Sequence, residues 1–383
     1  MPGRAPEHIE TVVIGGGQAG LAVGHHLARR GRQFLILDAN RRVGDAWRNR
    51  WDSLRLFTPA RYNGLAGMPF PAPAHAFPTK DQVADYLEAY AARFQLPVQT
   101  GVRVDRLTRG DGGFVVAAGD RHWEADNAVV AMSTFQVPRV PAFAADLGPD
   151  VVQLHAAGYR NPSQLQDGGV LVVGAGNSGA EIALEVAGRH PTWLAGKESG
   201  QVPFRIEGGP ARFVFQPLLF RVIGHRVLTV DTPIGRRLRP RLLSHGAPLV
   251  RVKPKDLAAA GIQRVPRVVG TRDGHPLLAD QQVLEVANII WCTGFAPDFS
   301  WINLPVFGEN RSEPLHHRGV VASQPGLYFV GLSFLYAMSS GFLPGVDRDA
   351  DHIAQAILAG AGRTPGRPSP TAGNGVRRPI RAG

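Results

Sequence analysis

The chain has a single cysteine, Cys292, among 383 residues. One thiol forms neither an intramolecular disulfide nor a C-x-x-C redox pair, which excludes dithiol chemistry within the chain. No group of Cys and His residues has the spacing of a zinc site, so no metal is expected. Long hydrophobic runs are missing as well: none reaches the ~18 residues of a membrane-spanning helix. Residues 1–10 lack the apolar core of a secretory signal, and the expected location is cytoplasmic, with no membrane partner. Acid is in short supply. Asp and Glu number 31 against 42 Lys and Arg, a net charge of +11 carried almost entirely by arginine. One basic cluster is Arg236, Arg237, Arg239 and Arg241, with Arg251, Lys253 and Lys255 beyond it. The other is the tail, with Arg363, Arg367, Arg377, Arg378 and Arg381. Neither is interleaved with aromatic residues or joined to a nucleic-acid motif. They read as solvated basic surface that favours anionic ligands, and nucleic acid is not an expected partner.

What the chain does contain is a glycine pattern, and it occurs twice. Residues 11–14, T-V-V-I, are a short β-branched apolar run that suits a buried parallel strand. Gly15, Gly17 and Gly20 follow as G-x-G-x-x-G, with Gln18 and Ala19 between them. A helix-like run then stops at Gly31, and a second apolar run, Phe34–Leu37, ends on Asp38. Gly15 allows a tight turn, Gly17 lets a pyrophosphate approach the backbone, and Gly20 allows close packing of helix on strand. The helix N-terminus offers unpaired N–H groups to a phosphate, and Asp38 is placed to accept from a ribose diol.

The second copy runs from Val170–Val173 into Gly174, Gly176, Asn177, Ser178 and Gly179, then to a strand-like Thr192–Ala195. Laid over the first copy without gaps, it has Lys197 where the first has Asp38, and Gly196 where the first has Leu37. A base at that position removes repulsion for a ribose 2′-phosphate and offers it a charge partner. The alternative partners are Arg189 or an arginine from 201–241. The two sites therefore read the ribose differently.

Around these units the length allows two ordinary domains, and 44% hydrophobic with 19% charged residues describes a globular protein. Gly44 and Trp47 follow Asp38 closely enough to meet the rest of a bound dinucleotide, although Trp47 reads equally well as a core aromatic. Residues 61–78 read as irregular. Thr79 to Gln82 is a capping box that opens a helix with Val83, Leu87 and Phe94 on one face. Residues 128–131 form a buried strand, and a proline-marked run from 137 to 141 reads as a domain boundary. Residues 201–260 give no motif. Asp347 is the expected N-cap of a final helix.

With these residues in view, the chain resembles class B flavin-containing monooxygenases, in particular bacterial relatives of the plant flavin monooxygenases of auxin synthesis. The resemblance runs over roughly residues 8–360. It rests on G-G-G-Q-A-G-L at 15–21, F-P-T-K at 77–80, H-A-A-G-Y at 155–159, G-A-G-N-S-G-A-E at 174–181, W-C-T-G-F at 291–295 and G-V-D-R-D-A at 345–350. It implies an α/β fold of two Rossmann-like dinucleotide-binding domains, the NADPH domain inserted in the FAD domain. The expected division is 1–137 and 286–360 for FAD, 138–285 for NADPH, and a disordered basic tail at 361–383. FAD is expected around Gly15, Gly17, Gly20, Asp38 and Trp47, with backbone near Val102 at the adenine, Thr293 and Gly294 nearby, and Gly345 and Val346 facing the flavin ring. NADPH is expected around Gly174 to Gly179 and Lys197. The implied activity is NADPH-driven reduction of FAD, addition of O2 to give a C4a-(hydro)peroxyflavin, and oxygenation of a small organic substrate. An NADPH oxidase or reductase with the same cofactors, and a flavin-binding nucleic-acid-associated regulator, are the alternatives. The chain departs from the family pattern F-x-G-x-x-x-H-x-x-x-(Y/F): His155 and Tyr159 match, but Pro149 and Val151 stand at the Phe and Gly positions. Thr58 stands where many animal-type members place an Asn near the flavin. His155 reads as a positioning residue rather than a proton donor.

Overall fold

The computed structural model describes residues 7–198, 200–209, 211–245, 248–309 and 313–361. The basic tail expected to be disordered lies, from residue 362 on, outside the described residues. Two sheets organise the chain. In the first, Glu7–Ile14 is flanked by Phe34–Leu37 and by Arg121–Val130, both parallel to it. Val98–Gln99 extends the sheet beyond Phe34–Leu37. The long strand Arg121–Val130 uses its first half for an antiparallel meander with Gly113–Ala118 and Arg106–Gly110. Its last residues, from Ala128 to Val130, pair in parallel with Leu327–Phe329. The second sheet is wholly parallel, in the order Gln263–Val265, Thr192–Ala195, Val170–Val173, Asn288–Trp291, Val152–His155. Its middle strands, V-L-V-V and N-I-I-W, are buried throughout, as strands covered on both faces must be.

The second sheet is inserted between two neighbouring strands of the first. The chain leaves after Arg121–Val130 and returns to the same sheet only at Leu327–Phe329. The outgoing segment Val137–Pro138 and the returning segment Phe295–Ala296 pair with each other antiparallel. The outward crossing falls in the proline run read from the sequence. The return falls later than the expected division at 285/286, because Asn288–Trp291 finds both its neighbours in the second sheet.

Helix Lys80–Arg93 starts on the expected capping box: Gln82 N donates to Thr79 Oγ1 at 3.2 Å and Thr79 N to Gln82 Oε1 at 3.0 Å. The last helix differs from expectation. It begins at Leu343, not after Asp347. Pro344 in the first turn needs no N–H partner and already has a helical φ, so the helix starts there. Asp347 instead faces the first helix, Gln18–Ala28: its Oδ1 lies 3.1 Å from His26 Nε2 and accepts from Ala66 N at 3.2 Å. One turn on, Asp351 Oδ1 lies 3.3 Å from His26 Nδ1 and accepts from Arg30 Nη2 at 2.5 Å. These acids clamp the first helix to the last.

Residues 211–245, motif-free in the sequence, form two wide-turn helices, Ala211–Phe215 and Leu218–Val227, and then Pro233–His245. They reach back to the first domain. The Phe220 and Tyr62 rings lie 5.3 Å apart, Val230 N donates to Tyr336 O at 2.8 Å and Met338 N to Leu228 O at 2.9 Å.

Four histidines, His25, His155, His225 and His352, have pKa values lowered first by burial, His225 to about 4 with Arg348 and Arg226 adding to the effect. A group held neutral in the fold binds fewer protons there than in the unfolded chain, so its contribution is present above the ordinary histidine range and is lost on acidification. Urea midpoints are therefore expected to decline as the pH falls from ~6.5 toward ~4. His225→Gln should flatten that decline, and equilibrium unfolding at a series of pH values measures both.

Candidate functional site

The two glycine turns are the same structure built twice. Gly15 and Gly174 both have φ +115°. Gly17 and Gly176, which begin the helices Gln18–Ala28 and Asn177–Val186, both have φ −78° and ψ −172°. A Cβ on Gly20 would lie 1.9 Å from Gly15 O, and one on Gly179 would lie 1.8 Å from Gly174 O. Those glycines are forced by backbone packed on backbone. Gly17 and Gly176 are not: a Cβ on either meets nothing within 4 Å. The space beside them is open, and the first-turn N–H groups face outward at a helix start with no side-chain cap. That combination fits the diphosphate of a dinucleotide in each turn.

The ribose ends differ, but not in the register of the gap-free overlay: Ile14 pairs with Leu37 and Val173 with Ala195, so the second strand ends one residue earlier, Gly196 stands at the place of Asp38 and Lys197 follows it. Asp38 is buried, and its Oδ2 accepts from Gly16 N at 2.6 Å. Its Oδ1 accepts from Asn40 N at 2.7 Å and Asn40 Nδ2 at 2.8 Å. Val102 N donates to Asp38 O at 2.8 Å, which brings the expected adenine-side backbone next to the acid. At the second turn a cavity of about 350 Å³ is lined by Gly174, Gly196, Lys197, Arg267 and Thr293. Arg264 Nη2 donates to Gly196 O at 2.7 Å, so a third cation stands behind the first two. Arg264 and Arg267 were missed in the sequence reading. Their signal was the position within and just after Gln263–Val265, the edge strand paired with Thr192–Ala195.

Residues 12–195 match the pyridine nucleotide-disulphide oxidoreductase family. An uncharacterized CzcO-like oxidoreductase of Geobacillus kaustophilus is 38% identical over 357 residues, covering 91% of this chain and 98% of its own. A flavin-containing monooxygenase from Stenotrophomonas maltophilia superposes with a TM-score of 0.74 at 29% identity, covering 92% of this chain and 99% of its own. The chain belongs to the class B flavin-containing monooxygenase family. It is a flavoprotein oxidoreductase. A probable indole-3-pyruvate monooxygenase, YUCCA3 of Arabidopsis thaliana, is also similar, at 27% identity over 84% of this chain and 82% of its own.

The remaining family motifs have mechanical roles. In F-P-T-K, Thr79 caps a helix and the buried Lys80 donates from Nζ to Arg48 O at 3.1 Å, fixing the short helix Asp45–Arg48. That helix turns on Gly44, whose Cβ would strike Ala84 O at 2.6 Å. It carries Trp47, whose Nε1 donates to Gln18 Oε1 at 3.3 Å, inside the first glycine turn. Thr58 is buried, and its Oγ1 donates to Asn63 Oδ1 at 2.7 Å. In H-A-A-G-Y, the Ala157 N–H donates to His155 Nδ1 at 3.1 Å, so Nε2 carries the proton donated to Gly294 O at 3.0 Å. His155 is thus a neutral strut under the return crossing, where Thr293 Oγ1 also donates to Arg139 O. Tyr159 is buried and donates to Glu185 Oε2 at 2.9 Å. Asn177 spans to the next loop, donating to Pro248 O at 3.0 Å and accepting from Val250 N at 2.9 Å. Gly345 N and Val346 N both donate to Phe342 O at 3.0 Å, and a Cβ on Gly345 would meet Ser339 O at 2.3 Å.

Two titratable groups stand out at the second turn. Burial pushes the Cys292 thiol up to about 12, so the lone cysteine stays protonated and is no nucleophile at neutral pH. Burial also pushes the Glu181 carboxyl up to about 7, against the pull of Arg251, whose Nη1 is 3.8 Å away. Glu181 was quoted only within its motif and not singled out from sequence.

The glycine geometry separates two roles that the sequence motif merges. Gly20→Ala is expected to cost ~3 kcal/mol or more through its backbone clash. Gly17→Ala is expected to stay within about 1 kcal/mol of the parent in chemical denaturation. Equal losses for the two would contradict the open space at Gly17.

Proposed function

We propose that the protein binds FAD in the first turn and NADPH in the second and oxygenates a small organic substrate with O2. The observation that carries this is the duplicated glycine turn with opposite ribose ends, Asp38 at one and Lys197 with Arg267 and Arg264 at the other. Bound flavin would supply the redox chemistry, taking reducing equivalents from the nicotinamide and passing them to O2.

The chain's own residues would hold and orient. The first-turn N–H groups of Gln18, Ala19 and Gly20 would take one diphosphate, and those of Asn177, Ser178 and Gly179 the other. Asp38 has lone pairs beyond its Gly16 and Asn40 contacts for a ribose diol, and it would repel a 2′-phosphate. Lys197 and Arg267 would pair with that phosphate, and Arg264 would hold the Gly196 turn that leaves room for it. Gln18 fixes Trp47 beside the first site. Gly345 and Val346, in the first turn of the last helix, would face the flavin ring, with residues 211–245 covering the neighbouring 336–339 turn and excluding water. On this reading the FAD-binding unit comprises residues up to 137 together with those after 296, and the NADPH-binding unit lies between. Cys292 alone offers no dithiol, so reduction of a disulfide substrate through a cysteine pair is not available to this chain.

The test is turnover in air. Purified protein is expected to release FAD on heating, to bleach with NADPH, and to form oxygenated product in proportion to NADPH consumed once a substrate is supplied. Peroxide equal to NADPH with every class of nitrogen, sulfur and keto substrate would assign an oxidase instead. A protein that does not bleach with NADPH would sink both enzyme readings. Gly17→Ala should fold yet retain little flavin, read from the absorbance of the purified variant.

Cofactor choice has its own measurement. Lys197→Ala and Arg267→Ala are each expected to raise the KM for NADPH roughly ten- to a hundredfold while leaving that for NADH nearly unchanged. Steady-state kinetics with both nicotinamides check this. Equal use of NADH and NADPH by the parent would remove the assignment.

A further inference from the structure

The helices at 211–243 present an outer surface of unusual make-up. More than half of the large apolar side chains left exposed among the described residues lie here, including Phe213 at 75%, Val214 at 58%, Ile234 at 50% and Leu218 at 43% exposed. Exposed arginines stand among them at 212, 221, 226, 236 and 237. The only acid within 211–243 is Asp231. Apolar groups cluster on the surface of a protein where something covers them, and the segment that carries this cluster is strongly basic.

The charge selects the partner. A second copy packed face to face would set arginine against arginine. The chain's own residues 362–383 carry five arginines and no acid, so they do not complement the face either. An anionic surface does. The apolar component then selects among anionic surfaces. Most of these groups are valine, leucine and isoleucine, which give nucleobases nothing to stack on; of the two exposed rings, Phe215 lies against Phe204, 4.7 Å away and 15° from parallel, and Phe213 lies edge-on to His75 at 6.0 Å. A lipid bilayer offers both terms at once: phosphate headgroups for the arginines, and an acyl boundary a few ångströms below for the aliphatic and phenyl groups. No helix among the described residues is long and apolar enough to cross a membrane, so the contact is peripheral. We propose that residues 211–243 dock this protein on an anionic lipid surface, with Phe213, Val214 and Ile234 entering the acyl boundary and the surrounding arginines at the headgroups.

Sedimentation of the full chain with vesicles tests this. The protein is expected to pellet with vesicles containing phosphatidylglycerol and to stay in solution with phosphatidylcholine alone, with binding weakened by salt. The Phe213→Ser, Val214→Ser double variant is expected to partition roughly tenfold or more less well, because two apolar groups leave the interface. The Arg226→Glu, Arg237→Glu variant should lose binding to the anionic vesicles as well. Both alter exposed positions and should melt at the parent temperature, which separates lost docking from lost folding. Absence of binding at low salt, equal binding to neutral vesicles, or a serine variant that binds like the parent would overturn the proposal. So would a concentration-dependent dimer that the serine variant loses, or duplex DNA binding without vesicle binding.

Discussion

The structure depends on one close contact made twice: the third glycine of each turn packed against the carbonyl of the first. No side chain fits there, since even a Cβ would sit within 2 Å of an oxygen. The contact brings each helix N-terminus down onto the end of its strand. That placement leaves the first-turn N–H groups aimed at open space beside Gly17 and Gly176, and it fixes where the next strand ends. Asp38 directly follows the residue paired with Ile14, whereas Val173 pairs with Ala195, so Gly196 is the counterpart of Asp38 and Lys197 lies one residue farther on. In the first turn the acid also secures the loop, through the Gly16 N–H.

Insertion of one sheet within the other sets how these two sites meet. The outgoing and returning segments do not cross independently; Val137–Pro138 and Phe295–Ala296 are paired. His155 and Thr293 hold that junction from the second domain, through Gly294 O and Arg139 O. On the first domain's side, Asp347 and Asp351 bind the last helix to His26 of the first and to Arg30 just beyond its end. The motifs quoted for family resemblance largely describe this scaffolding. Lys80, His155, Tyr159 and Asn177 each hold backbone or another side chain in place. This suits an enzyme whose chemistry belongs to its cofactor, because the protein's part is orientation and electrostatics.

The second domain carries its electrostatics in two separate places. Lys197 and Arg267 line a cavity, with Arg264 bonded to the Gly196 carbonyl behind them. The arginines of 211–243 lie on a segment that also exposes apolar groups. A net charge of +11 does not distinguish these arrangements. Only the first resembles a small-molecule site, and only the second has the mixed character of an interface.

The α/β class, the duplication and the contrast of an acid near one strand end with a base near the other were legible in the sequence, although the overlay missed that the second unit's strand ends one residue earlier. Each depends on local backbone geometry, and local geometry is set by residues a few positions apart. The capping box at Thr79 was legible for the same reason, whereas the partner that makes His155 a strut, Gly294, is far away in sequence. The tertiary structure decided what depends on contacts between distant segments. Asn288–Trp291 reads as an apolar strand in either sheet, and only its neighbours assign it to the second. Asp347 has the residue type of an N-cap, but His26, far away in sequence, claims it while Pro344 starts the helix. Arg264 and Arg267 became visible beside Lys197 because parallel pairing of Gln263–Val265 with Thr192–Ala195 brings their strand ends together. The 211–243 segment offered no motif in the sequence. Its exposure follows from which side of those helices the rest of the fold leaves uncovered.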